Sequence, residues 1–91
     1  MKLIIGLGNP GRAYLNNRHN VGFTCLSYFA RRVGIHFDKR QCLARTGTGE
    51  VNSNKVVLAR PQTFMNLSGH SVSRLTKQFN INPGDLIVIH D

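Results

Sequence analysis

Carboxylates are scarce in this sequence. Asp38, Glu50, Asp85 and Asp91 make up its 4 acidic side chains, against 12 lysines and arginines, for a net charge of +8 over 91 residues. Such an excess favours a polyanionic partner, most simply nucleic acid, through counterion release. An apolar run long enough to span a bilayer is also lacking. Met1-Lys2 leads straight into a strand-like segment with no signal-peptide hydrophobic stretch, so no membrane partner is expected and the cytoplasm is the expected compartment. Cys25 and Cys42 are too far apart for a CxxC motif, and neither reads as a metal ligand or half of a structural disulfide. Cys25 falls on the apolar face of a predicted helix, as a reduced core thiol. No histidine pair has helical i, i+4 spacing with an acid nearby, so no metal site is expected. No repeat, low-complexity tract or linker divides the chain. Its length allows one small domain, and a hydrophobic fraction of 41% is that of a globular protein.

What is present is ordered. Lys2 to Leu7 is an apolar run rich in Ile, ended by Gly8, and reads as a strand covered on both faces. Asn9-Pro10-Gly11 supplies turn chemistry in a loop from Gly8 to Asn17. Asn20 is placed to cap a helix in which Gly22, Cys25, Leu26, Phe29, Ala30 and Val33 recur at helical spacing. Gly34 ends that helix, and Arg31 and Arg32 complement its dipole. Ile35 to Arg40 reads as a basic connection. Leu43 to Val51 and Lys55 to Ala59 flank Asn52-Ser53-Asn54, a hairpin signal. The first of these strands is polar and belongs near an edge; the second is more central, and Pro61 stops it. A second loop, Pro61 to Gly69, precedes a helix marked by Val72, Leu75 and Phe79. A turn at Ile81 to Asp85 leads to a last apolar run, Leu86 to Ile89. The order β-α-β-β-α-β predicts an α/β sheet with a hairpin at one side. Two helices are few for covering a parallel sheet, so residues 1–91 are expected to be the N-terminal part of a larger single domain, in truncated form.

The chemistry gathers around Leu3 to Gly22. Gly6, Gly8 and Gly11 match the dinucleotide pattern G-x-G-x-x-G. Against that reading, Pro10 removes an N–H inside the motif, polar residues separate the third glycine from the helix, and the region from 30 to 40, where a ribose-binding acid belongs, is mostly basic. His19 is the side chain suited to accept a proton near neutral pH, and it needs an orienting carboxylate. Asp91 is the one acid at the carboxyl end of a predicted central strand. If that strand runs parallel to the first, Asp91 and His19 emerge on one sheet edge. No serine or cysteine stands in a nucleophile elbow, since Ser68 lies in Asn66-Leu67-Ser68-Gly69, so water is the simpler nucleophile. Asn9 and Asn66, in the two loops, could flank the pair, each amide able to hold a peptide group or an ester carbonyl; turn formation and helix capping are the alternatives for both. His36 and His70 are expected in solvent.

The segments Gly6-Leu7-Gly8-Asn9-Pro10-Gly11, Tyr14, Arg18-His19-Asn20-x-Gly22, Phe64-Met65-Asn66-Leu67-Ser68-Gly69, Asn82-Pro83 and His90-Asp91 together resemble the bacterial-type peptidyl-tRNA hydrolases, in order along the whole chain. The resemblance implies a single three-layer α/β domain with a mixed, mostly parallel central sheet, usually monomeric, with no metal and no cofactor. It implies hydrolysis of the ester joining a peptide to the 3′ end of tRNA, which recycles tRNA during translation. His19 then matches the catalytic base, Asp91 the aspartate that supports it, and Asn9 the residue that tells blocked from free aminoacyl groups. Tyr14, Phe64 and Asn66 match residues contacting the substrate near the tRNA 3′ end. The family domain is longer than this chain and carries a further Gly/Asn-rich segment and basic tRNA-gripping residues that are not in this sequence. Asn17 stands where the family often has Thr. An alternative of another class is an inactive half-domain that binds RNA weakly through its basic surface.

Overall fold

In the computed structural model, which describes residues 1–8, 20–63 and 67–90, five strands form one sheet in the order β2-β3-β4-β1-β5. They are β1 (Lys2–Gly6), β2 (Lys39–Gln41), β3 (Ala44–Val51), β4 (Asn54–Pro61) and β5 (Leu86–Ile89), with helices α1 (Val21–Val33) and α2 (Ser68–Gln78) between them. β1 runs parallel to both its neighbours, pairing Ile5 with Ala59 of β4 and with Val88 of β5. β2, β3 and β4 form an antiparallel meander. The sheet is therefore mixed, with its parallel part at β4, β1 and β5.

Alternation along the strands builds a core on each side of the sheet. Leu3, Ile5, Val57 and Ala59 meet Leu75 of α2 on one face. Val56 and Leu58, with Ile4 and Ile89, meet Leu26 and Ala30 of α1 on the other. This double burial is why β1 and β4 read as continuous apolar runs rather than alternating ones. The fold is a three-layer α/β arrangement. Among the described residues, no helix is long and apolar enough to cross a membrane.

α1 docks by close backbone approach. A Cβ on Gly22 would meet the carbonyl oxygens of Ile89 and Leu7, and one on Gly6 would meet the carbonyl of Gly22. The first turn of α1 thus rests on the seam between β1 and β5. Gly34 closes the helix at φ 75°, and Ile35 N–H donates to Ala30 O at 2.9 Å. α2 closes through Asn80 at φ 52°, with Ile81 N–H reaching back to Thr76 O at 2.9 Å.

The structure corrects five expectations. Residues 39–41, the first two of which fall in the expected basic connection, form the edge strand β2; three residues are too few to show alternation, and Lys39 and Arg40 keep that edge charged. β4 runs on to Pro61, because β1 accompanies it only as far as Ala59 and the missing N–H costs no β1 bond. α2 starts at Ser68, inside the predicted loop. Asn20 stands before α1 but makes no side-chain capping hydrogen bond. Cys25 is exposed, since the buried stripe runs through Gly22, Leu26 and Ala30 and leaves it on the rim.

One turn carried no sequence signal. Cys42 and Leu43, at φ 55° and 61°, join β2 to β3 as a two-residue hairpin. The left-handed region is costly for both. Their carbonyls are held from outside the hairpin: Ser71 Oγ donates to Cys42 O, and Gln62 N–H to Leu43 O, each at 2.7 Å. Asn52 and Ser53 form the corresponding turn between β3 and β4, with Asn54 already paired to Val51.

Candidate functional site

The three parallel strands all deliver their carboxyl ends to one edge of the sheet, where open α/β folds hold their ligands. Gly8 follows β1 there, Thr63 follows β4 and His90 follows β5; Asn20 and Leu67 lead into α1 and α2. Two contacts tie three of these ends together. Leu7 N–H donates to Ile89 O at 2.9 Å, joining the end of β1 to the end of β5. A Cβ on Gly8 would lie 2.8 Å from Asn20 Oδ1 and from Phe23 Cγ, so the chain leaving β1 touches the start of α1. β5 runs parallel to β1, the condition set for Asp91 and His19 to emerge on one edge, and the two strands are direct neighbours.

Asn9, Tyr14, His19, Phe64, Asn66 and Asp91 all lie outside the described residues. In sequence, Asn9 adjoins Gly8, His19 adjoins Asn20, Phe64 follows Thr63, Asn66 precedes Leu67, and Asp91 follows His90. Among the described residues the glycines of the dinucleotide pattern serve packing: Gly6 lies against Gly22 and Gly8 against Phe23. α1 begins at Val21, well beyond Gly11, so its N-terminus does not follow the third glycine as a phosphate cradle requires. His36 and His70 are exposed, as expected.

The structure adds two residues that motif reading passed over. Thr63 Oγ1 is buried at the carboxyl edge with no hydrogen-bond partner among the described residues. A buried hydroxyl without a partner is uncommon and marks a place where a polar group fits. Arg60 leaves β4 on the α1 side, half-buried. Its guanidinium lies 4.2 Å from the centroid of the Phe37 ring, and its Nη1 donates to Ser27 Oγ at 3.1 Å. Burial first, and the neighbouring Arg45 second, hold its pKa below the ordinary arginine value. In sequence Arg60 is only a lone cation closing the apolar run Val56 to Ala59, which by itself does not mark it as functional. Among the described residues no group of three His, Cys, Asp or Glu side chains could hold a metal ion.

Comparison with known proteins bears on this edge. The family model of peptidyl-tRNA hydrolase matches residues 3–91. The peptidyl-tRNA hydrolase of Dehalococcoides mccartyi strain BAV1 is 58% identical over 91 residues, covering 100% of this chain and 48% of that protein. That of Herpetosiphon aurantiacus is 55% identical, over 100% of this chain and 45% of its own length. The crystal structure of peptidyl-tRNA hydrolase from Acinetobacter baumannii superposes with a TM-score of 0.96 at 37% identity, covering 100% of this chain and 47% of that one. The chain spans about half the length of the relatives it matches.

Proposed function

The chain belongs to the peptidyl-tRNA hydrolase family, and from that membership we propose that it cleaves the ester between a peptide, or an N-blocked aminoacyl group, and tRNA, with His19 as general base. His19 accepts a proton from water as the water oxygen attacks the ester carbonyl. The tetrahedral intermediate collapses, the imidazolium returns the proton to the departing ribose oxygen, and a free tRNA 3′ end and a peptide carboxylic acid result, the acid then ionising to solvent. Asp91 orients His19 and stabilises its protonated form. Asn9 distinguishes blocked from free amino groups, and Tyr14, Phe64 and Asn66 contact the 3′ end of the tRNA. The reaction uses water and side chains, with no cofactor. It suits a cytoplasmic monomer that recycles tRNA during translation and after ribosome rescue.

The observation that carries this reading is the junction of Leu7, Gly8, Asn20, Gly22 and Ile89, the described residues that flank Asn9, His19 and Asp91 in the chain. A second reading is an inactive half-domain with weak RNA binding. It is favoured by β5, an edge strand with Ile87 45% and Val88 38% exposed. Single-turnover release from an N-acetylated aminoacyl-tRNA separates the two. Release by the 91-residue protein well above that of His19→Ala supports the enzyme. Equal rates, with a cooperative melt in both, leave the half-domain.

A further inference from the structure

The outer side of α1 carries positive charge that no ion pair among the described residues offsets. Arg45 and Arg60 are directly opposite in the β3–β4 register, so their side chains leave the sheet on one face. Phe37 holds both, its ring beneath Arg60 at 4.2 Å and its carbonyl accepting from Arg45 Nη2 at 3.1 Å. Like charges placed opposite one another repel, and Arg60 Nε is in addition buried without a hydrogen-bond partner among the described residues. The ion pair that the described residues do show, Lys2–Asp85, lies at the far end of β1. A recess of 230 Å³ opens above Arg60, walled by Ser27, Arg31, His36 and Phe37. A second recess, of 360 Å³, shares Ser27, Arg31 and Arg60 with it and continues past Phe23 to Asn20, at the carboxyl edge. Among the described residues, no acidic residue lines either recess. Beside them Tyr28 is 61% exposed, with the Arg32 guanidinium 5.9 Å from its ring centroid.

We propose that this groove is a phosphodiester-binding site for RNA, in which Arg31 and Arg60, braced by Phe37 and Ser27, hold a backbone phosphate. An anion there relieves the Arg45–Arg60 repulsion. The exposed Tyr28 offers a flat face for a base, which favours RNA over a small anion. The groove opens at Asn20, so an RNA strand lying in it arrives at the carboxyl edge. The inference rests on the proposed function for the position of the RNA 3′ end, but the groove itself is testable without turnover.

Binding of a deacylated tRNA acceptor-stem minihelix, followed by fluorescence anisotropy across a salt series, tests it. Removing a cation that neutralises a phosphate makes affinity less salt-dependent. Arg31→Gln is therefore expected to weaken binding at low salt and to shrink the affinity drop between about 50 and 200 mM salt by about three-fold. Arg60→Gln is expected to do the same, with its fold checked by circular dichroism. Lys77→Gln removes the same charge from exposed α2 on the opposite face and is expected to change the salt slope little. Equal affinities and slopes for Arg31→Gln and Lys77→Gln would overturn the assignment. So would displacement of the minihelix by low-millimolar inorganic phosphate at constant ionic strength, which would make this a free-phosphate site. Groove-dependent binding without ester release would uphold the groove and remove the proposed reaction; release with groove-independent binding would do the reverse.

Discussion

Replacing Gly22 by alanine tests whether α1 is seated on the β1–β5 seam as described. The added Cβ would stand 2.5 Å from Leu7 N and nearer still to the carbonyl oxygens of Leu7 and Ile89. Ordinary contact distances of about 3.5 Å require a retreat of about 1 Å. All three atoms are backbone, on two paired strands, so no side-chain rotation relieves the clash. The helix must lift, and with it Leu26 and Ala30 from the core they share with Val56 and Leu58. We expect a loss of about 3 kcal/mol, the upper end of the range for overpacking. For a domain of this size that lowers Tm by about 12–24 °C. The matched control is Gly69→Ala. Gly69 lies in the first turn of α2, where an added methyl would have nothing within 4 Å, so alanine's better helix propensity gains about 0.5–1 kcal/mol and Tm rises. Thermal and urea melts monitored by circular dichroism read both variants. Faster hydrogen exchange at Leu7 N–H, whose partner is Ile89 O, would locate the damage at the seam. If Gly22→Ala melts within about 2 °C of the parent protein, the close approach is not there and the reasoning fails.

Three further outcomes follow from other sites. Leu43 is 43% exposed at φ 61°, so Leu43→Gly gives up little burial, relieves the left-handed strain and is expected to raise Tm by a few degrees; Ser71→Ala, which strands the buried end of the same turn, is expected to cost about 1–2 kcal/mol in urea melts. With His19 as the base, the single-turnover release rate is expected to rise with pH as the imidazole loses its proton, and then level off; a rate that falls as pH rises would refute the role.

The sequence foretold the parallel part of the sheet because residues buried on two faces must be apolar throughout, as Leu3 to Ile5 and Val56 to Ala59 are. It foretold the end of α1 because Gly34 has a backbone role that other residues fill poorly. It missed the turn at Cys42 and Leu43 because that conformation is imposed by Ser71 and Gln62, which are distant in sequence. Cys25 falls outside the buried stripe because spacing defines a stripe but not its width. The motif residues of the candidate site were legible as side chains suited to ester chemistry. Arg60 and Thr63 were not, since nothing local marks an arginine as stacked on Phe37 or a threonine hydroxyl as unpartnered.

The position of β1 has a kinetic consequence. Its two partners come from much later in the chain, Val56 opposite Lys2 on one side and Leu86 opposite Leu3 on the other. During synthesis β1 therefore has neither neighbour until residues beyond 54 are made, and gains its second only with residues 86–89. Pairings of such sequence separation are slow to close, because loop entropy is lost before any contact repays it. The β2–β4 meander, whose turns join adjacent strands, can form early and wait. β1 is then inserted between a preformed ribbon and β5, and the seam that seats α1 is complete only once β5 has paired.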